Sequence, residues 1–187
     1  MAELATAHLK GVTNGAALVL GSGLGGGIII NGKLFQGSHF QAGELTFLLP
    51  LQMEKLDPSL MQGTTLSAIG LITKVNEILA SLDLKDGLLA FKAINAKKEA
   101  VYPIFETYCR NLAITILNLQ TIFDMETFVL GGGISAQSIL IEEINRQFDK
   151  VHHEIDFIGK IIKRPKIVAC HHNGTNLIGA AYFLKQG

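Results

Sequence analysis

The opening of the chain alternates short apolar runs with glycine-rich segments, a pattern typical of β-strands joined by tight turns. After a turn at Gly11–Gly15, it predicts strands over Ala16–Leu20, Gly27–Ile30 and Lys33–Gln36. Asn31-Gly32 separates the last two, and this dipeptide favours a hairpin because a type I′ turn needs positive φ at both central residues. The chain therefore opens with an antiparallel meander.

Beyond about Thr65 the apolar residues recur every three or four positions, which is the period of a helix. The first helical stripe is formed by Leu66, Ile69, Ile72, Val75 and Leu79. A shorter helix is predicted over Asp86–Ile94, and a long one over Glu99–Phe123. The residues of the long helix that we expect to face the core are Phe105, Tyr108, Leu112, Ile116 and Leu119.

The last part of the chain alternates strands with helices. Glu126–Leu130 is predicted as a strand, and Gly131–Gly133 then turns into a helix for which Ser135 is the expected N-cap. A strand over Lys166–Ala169 and a helix over Asn176–Leu184 follow. A meander, then helices, then β-α-β-α predicts one α/β domain over residues 1–187 with a mixed sheet.

The N-terminal residues predict a short helix over 2–10 that begins without a capping side chain, since no Ser, Thr, Asp or Asn precedes it. We therefore expect that further chain once stood in front of this helix. The segment also lacks the basic and apolar regions of a signal peptide.

The amino-acid composition argues against several classes of function. Sixteen basic and sixteen acidic side chains cancel, which argues against nucleic acid as the main partner. The basic stretch Lys160–Lys166 is interpreted as a solvated helix end. Cys109 and Cys170 are too far apart in sequence to suggest a disulfide framework or a metal site, and no apolar run is long enough to span a membrane. A cytoplasmic protein with reduced thiols is expected.

Gly21-Ser22-Gly23-Leu24-Gly25-Gly26 matches the dinucleotide-binding pattern G-x-G-x-x-G. A dinucleotide-binding loop must run from a strand into a helix, whereas this one runs into a predicted strand, so we reject that interpretation. Backbone amides in such a loop can still converge on an anion, and the Ser22 hydroxyl adds a donor. We therefore favour phosphate binding over a plain glycine-rich turn.

A second glycine run, Gly131-Gly132-Gly133, lies between a predicted strand and a predicted helix. This context suits a phosphate or nucleotide, because the helix N-terminus presents free amides. Close packing of the strand against the helix would equally require glycine. Both interpretations stay open at this point.

Four sequence blocks together resemble the ROK family of sugar kinases and repressors. They occur in family order: Leu18–Lys33, which is similar to the second phosphate loop and its hairpin; Gln41–Glu44, similar to the Ala-Gly-Glu sugar block; Asp124–Ser135, similar to the adenosine loop; and Asn173–Ala181, similar to the closing helix. The resemblance implies an actin-like ATPase (ribonuclease H-like) fold, of which this chain would be the C-terminal lobe.

The resemblance also implies roles for particular residues. Gly21, Ser22 and Gly23 would face the ATP phosphates, and Gly131, Gly132 and Gly133 would border the adenosine. Glu44 would accept hydrogen bonds from sugar hydroxyls. A carboxylate suits that task because it can accept from two neighbouring hydroxyls at once; the alternative for Glu44 is a position at a strand edge.

Three features depart from the family pattern. The first phosphate strand and the Asp general base of the family are absent, so the resemblance implies that ATP and Mg²⁺ bind only together with a missing N-terminal lobe and that this chain alone is inactive. Phe47 stands where many members have a zinc-binding His, and Pro50–Gly63 contains no cysteine, so no zinc is expected. The family's second sugar-binding Glu has no clear counterpart, because the spacing of Glu54 is wrong.

Three functions remain in view. The chain would be the C-terminal lobe of an ATP-dependent hexose kinase, with sugar and ATP as partners. Alternatively, it would be the sugar-sensing half of a ROK repressor, the only case with a nucleic-acid partner, or a truncated module without catalysis. A homo-oligomer is expected, because half of a two-lobed protein exposes an apolar cleft face.

Overall fold

The computed structural model describes residues 7–49, 55 and 57–171, and its centre is a five-stranded mixed sheet of order β3-β2-β1-β4-β5. Strands β1, β2 and β3 pair antiparallel, and β1–β4 and β4–β5 pair parallel. The strand bounds are β1 Gly15–Leu20, β2 Leu24–Ile30, β3 Lys33–Phe35, β4 Thr127–Gly131 and β5 Lys166–Ala169. The predicted meander and mixed sheet are confirmed.

The turn between β2 and β3 has the conformation that its sequence predicts. Asn31 has φ of 52° and Gly32 has φ of 72°, so both central residues are in the left-handed region. The hairpin is further held by Asn14, whose side-chain oxygen accepts from the Asn31 amide at 3.0 Å.

Helices follow the meander and cover one face of the sheet. Their bounds are α1 Gln62–Thr65, α2 Ala68–Ile78, α3 Gly87–Asn95, α4 Tyr102–Phe123, α5 Ser138–His153 and α6 Asp156–Ile161, with 3₁₀ turns at Leu45–Phe47 and Pro58–Leu60. Side-chain caps fix two of the starts. Ser67 accepts from the Gly70 amide at 3.0 Å before α2, and Asp86 accepts from the Leu89 amide at 2.9 Å before α3.

The main core lies between the sheet and helices α4 and α5. The predicted inward face of α4 is confirmed, because all five of its residues are buried: Phe105, Tyr108, Leu112, Ile116 and Leu119. They belong to the same cluster as Leu18 of β1 and Phe128 of β4. A smaller cluster on the opposite face joins Ile29 and Val129 to Leu9.

Two helix predictions were wrong in detail. Helix α5 begins at Ser138, not beside Ser135, and its N-cap position is Gln137, without a side-chain cap. The Ser135 hydroxyl instead donates to the Gly132 carbonyl at 2.8 Å, so it closes the preceding turn. In α2, Ile69 is 46% exposed, and Leu71 packs into the core in its place.

The predicted first helix is a turn where the structure describes it, at residues 7–10, and its other residues lie outside the described part. The predicted helix Asn176–Leu184, the Asn173–Ala181 block and Glu54 also lie outside the described residues. No helix among the described residues is long and apolar enough to cross a membrane.

Candidate functional site

The two glycine segments meet at one edge of the sheet. Strands β1 and β4 are parallel neighbours, so the loops that follow them start side by side. Gly132 has φ of 102°, and a Cβ at this position would lie 2.1 Å from the Leu20 carbonyl oxygen. Only glycine permits this close backbone contact between Gly132 and Leu20, so the end of β4 packs tightly against the end of β1.

A cleft of about 620 Å³ opens at this edge. One side is formed by Gly21 and Ser22 after β1, together with the segment after Gly132. The other side is formed by α2, by the start of α3 and by the loop between them. A cavity of this size lies within the range of small-molecule sites.

The cleft is lined by both apolar and polar side chains. Its apolar lining residues are Leu20, Ala68, Ile69, Ile72, Leu88, Phe91 and Ile134. Leu88 is 84% exposed, so this wall presents free apolar surface in addition to that of Ile69. The polar side chains of the lining are Ser22, Asp83, Lys85, Asp86 and Gln137. Such a surface suits a flat organic ring next to a charged group.

The β1–β2 turn is short and leaves donors free. The Gly21 amide donates to the Gly23 carbonyl at 3.1 Å, which tightens the turn. The Ser22 amide and hydroxyl have no hydrogen-bond partner among the described residues. A Cβ added at Gly21 would meet nothing within 4 Å, so there is open space beside this residue of the cleft lining.

The predicted phosphate and adenosine residues divide into two groups. Gly21, Ser22 and Gly133 line the cleft. Gly23 does not, because it packs on Thr46, whose Oγ1 would lie 3.0 Å from an added Cβ. Gly131 and Gly132 also stand outside the lining, at the end of β4. The second group therefore shapes the cleft without facing it.

Some glycines of the first run permit close backbone packing and do not face the cleft, and this role could not be predicted from the sequence. Strand β2 begins at Leu24, so Gly25, Gly26 and Gly27 belong to the strand and the loop contains only residues 21–23. Gly43 has φ of 93°, and a Cβ there would lie 2.5 Å from the Gly26 carbonyl oxygen. Gly26 and Gly43 thus permit a backbone contact between β2 and the next loop.

Glu44 follows this contact and does not line the cleft. Its neighbours are firmly held, since Leu45 is buried and the Thr46 hydroxyl donates to the Leu24 carbonyl at 3.0 Å. The Glu44 side chain is exposed and makes no hydrogen bond with another described residue. A carboxylate in this state is available to a ligand.

A separate polar cluster joins α4 to α5. The buried Glu143 carboxylate accepts hydrogen bonds from Arg146, Gln147 and Tyr102, and Arg146 also pairs with Glu106. Burial raises the pKa of Glu143, but these hydrogen bonds outweigh it and hold the pKa below its ordinary value. Burial and the Glu143 charge raise the pKa of Tyr102 to about 12. The cluster is saturated by its own members and does not line the cleft.

Sequence reasoning missed the α2–α3 side of the cleft. Its apolar residues have the same helical spacing as core residues, so periodicity alone does not separate them. No group of three His, Cys, Asp or Glu side chains within the described ranges could hold a metal ion.

Comparisons with known proteins agree with this architecture. The sequence matches the ROK family over residues 1–187. An N-acetyl-D-glucosamine kinase from Vibrio cholerae is 30% identical over 194 residues, which cover 95% of this chain and 60% of that protein. The chain thus spans about three fifths of the length of this relative.

Two solved structures share the fold. A ROK family glucokinase from Streptomyces griseus, in complex with glucose and AMPPNP, superposes with a TM-score of 0.81 at 22% identity, covering 100% of this chain and 65% of that one. A ROK family transcriptional regulator, a homologue of the E. coli MLC protein, superposes with a TM-score of 0.72 at 23% identity, covering 98% and 48%. The predicted α/β, actin-like fold class is confirmed. Because the family match extends over the whole sequence, the chain belongs to the ROK family.

Proposed function

We propose that this chain is the C-terminal, nucleotide-binding lobe of an ATP-dependent sugar kinase. The observation that carries the proposal is the meeting of the two glycine segments in one cleft, opposite an exposed apolar wall. The V. cholerae relative is an N-acetyl-D-glucosamine kinase, and the S. griseus structure contains glucose and AMPPNP.

Each side of the cleft suits one part of ATP. The Ser22 amide and hydroxyl are free donors on an open turn, which suits phosphate oxygens. The apolar surface of Ile69, Ile72 and Leu88 suits the faces of the base. Gly133 has open space where a Cβ would stand, so the ribose can approach the backbone there.

Mg²⁺ would enter with the nucleotide. This ion usually binds through substrate phosphates and only one or two carboxylates, so the proposal requires no dedicated cage of protein ligands. When bound, Mg²⁺ neutralises the charge of the phosphates.

Glu44 would bind sugar hydroxyls next to the β1–β2 turn, residues 21–23, which we call the phosphate turn. Phosphoryl transfer to a sugar also needs a general base and closure of two lobes around the substrates. In this proposal an N-terminal lobe supplies the catalytic Asp, so the 187-residue chain binds nucleotide without turning it over. ADP release that depends on both ATP and sugar, measured with this chain alone, would contradict that part.

Titration of the chain with ADP by calorimetry tests the nucleotide site. We expect Ser22→Ala to weaken ADP binding by about tenfold or more, because a hydrogen bond to a charged acceptor contributes about 1.5–3 kcal/mol. Ser138→Ala is the matched control, because Ser138 is exposed and does not line the cleft. Absence of ADP binding, or equal ADP affinities for wild type and Ser22→Ala, would refute the assignment.

The sugar-sensing half of a repressor is the second candidate, favoured by the superposition on the ROK transcriptional regulator. It predicts that sugar raises the unfolding temperature of the chain while ADP does not. Glu44→Gln should abolish the effect of sugar in either case. A chain that responds to neither ligand would be a non-catalytic module.

A further inference from the structure

Asn76 is a polar residue in the interior of the wall that α2 and α3 form. It lies on α2 between the core residue Val75 and the end of the helix, and it is fully buried. Its Nδ2 donates to the Asp86 carbonyl at 2.9 Å, and its main-chain carbonyl accepts from the Ser81 amide at 3.0 Å. Asn76 therefore contacts both ends of the α2–α3 loop.

The other half of the Asn76 amide is unsatisfied. Its Oδ1 is buried and has no hydrogen-bond partner within the described part of the chain. A buried acceptor without a partner destabilises a fold. Leucine has the same branched shape and the same number of side-chain heavy atoms as asparagine, and it carries no such acceptor. Stability alone therefore does not account for an asparagine here, so its one side-chain hydrogen bond needs another explanation.

That hydrogen bond holds one wall of the cleft. Asp86 caps α3 through the Leu89 amide, and Asp86, Gly87 and Leu88 line the cleft. Helix α2 is tied to the opposite side, because the Ala68 amide donates to the Gly21 carbonyl at 2.9 Å. A continuous series of contacts thus runs from the phosphate turn, along α2 and through Asn76 to Asp86, Gly87 and Leu88, which we call the Leu88 wall.

We infer that Asn76 is a positioning residue for nucleotide binding, an inference that rests on the function proposed above. Asn76 does not line the cleft, so it acts through Asp86 and not on the ligand itself. The side-chain amide of Asn76 sets the distance between the Leu88 wall and α2. This distance determines the width of the part of the cleft in which the base of the nucleotide would lie. The phosphate turn stands at the other end of α2 and does not depend on this amide.

Calorimetric titrations of Asn76→Leu with ADP and with adenosine test this role. We expect both affinities to fall by the same factor, about tenfold, because the lost hydrogen bond moves only the wall that faces the nucleoside. The unfolding temperature should stay close to that of wild type, since removal of an unsatisfied buried acceptor offsets the lost hydrogen bond to the Asp86 carbonyl. Ser22→Ala should weaken ADP binding and leave adenosine binding unchanged.

Asn145→Leu is the matched control. The Asn145 amide also donates to a main-chain carbonyl of another element, that of Ile167 at 3.2 Å, but Asn145 does not line the cleft. This variant should lower the unfolding temperature without changing either affinity. If Asn76→Leu behaves in the same way, the residue is merely structural and the inference is overturned.

Asn76→Asp gives an independent test, including the case in which the leucine variant does not fold. An ionised carboxylate has no proton to donate to the Asp86 carbonyl, whereas a protonated one has. We expect the ADP affinity of Asn76→Asp, relative to wild type at the same pH, to recover as the pH falls from about 8 to about 5. No recovery would overturn the inference while ADP binding by wild type keeps the proposed function intact. If wild type does not bind ADP, both fail together.

Discussion

Replacement of Gly132 by alanine should destabilise the chain strongly. The new methyl group would lie 2.1 Å from the Leu20 carbonyl oxygen and 2.8 Å from its carbon, and both belong to backbone that cannot rotate away. The backbone φ of 102° is also one that side chains with a Cβ rarely adopt. Relief of both problems requires the ends of β1 and β4 to separate.

The size of the effect follows from these two costs. A left-handed φ costs a non-glycine residue about 1–2 kcal/mol, and forcing extra atoms into packed structure costs about 1–3 kcal/mol. Their sum is about 2–5 kcal/mol, and each kcal/mol lowers the unfolding temperature of a chain of this size by about 2–4 °C. We therefore expect a drop on the order of 10 °C in Gly132→Ala.

Gly133→Ala is the matched control. A Cβ at Gly133 meets nothing within 4 Å, and its φ lies outside the positive region. Its unfolding temperature should stay within about 2 °C of wild type. Thermal unfolding followed by circular dichroism, for both variants in the same buffer, measures the difference. Equal unfolding temperatures for the two variants would refute the close approach of Gly132 to Leu20.

Three further predictions concern other parts of the molecule. Gly43→Ala should lower the urea midpoint, because its Cβ would lie 2.5 Å from the Gly26 carbonyl oxygen; a wild-type midpoint would contradict this contact. Glu143 has a folded pKa below its unfolded value of about 4.3, so its contribution to stability is complete above that pH and is lost as the pH falls through the folded pKa. Urea midpoints should therefore fall more steeply on acidification for wild type than for Glu143→Gln, and parallel profiles would refute the role of the Arg146 pair. Burial raises the pKa of the Cys109 thiol, so a thiol reagent at about pH 8 should modify Cys109 only after unfolding, as mass spectrometry of digested samples can measure.

Turn preferences and hydrophobic periodicity in the sequence predicted most of the fold. The Asn31-Gly32 hairpin follows from the φ values its turn requires, and the inward face of α4 follows from its helical period. The start of α5 could not be predicted from the sequence, because a serine such as Ser135 can either cap a helix or close a turn. In the structure its hydroxyl donates to the Gly132 carbonyl and closes the turn. Which of the two hydrogen bonds the serine makes depends on the local backbone geometry, and the sequence alone does not reveal that geometry.

The candidate site was predicted only in part. Gly21, Ser22 and Gly133 were named from the sequence and line the cleft. The contribution of Leu88 was missed, because the wall that carries it depends on a contact across ten positions between Asn76 and Asp86. Glycines that permit close packing were also not separable in the sequence from glycines that face the cleft, since both simply lack a Cβ.

The contact between Gly26 and Gly43 has a consequence for how members of such a family can diverge. Glu44 directly follows Gly43, whose backbone packs on Gly26 of β2, while the nearby Phe40 and Phe47 are 78% and 63% exposed. The exposed Phe47 side chain takes no part in the backbone contact between Gly26 and Gly43 that precedes Glu44. Under the function proposed above, sugar preference can therefore change through such exposed side chains, by evolution or by library selection, while the cleft lined by Gly21, Ser22 and Gly133 is inherited unchanged.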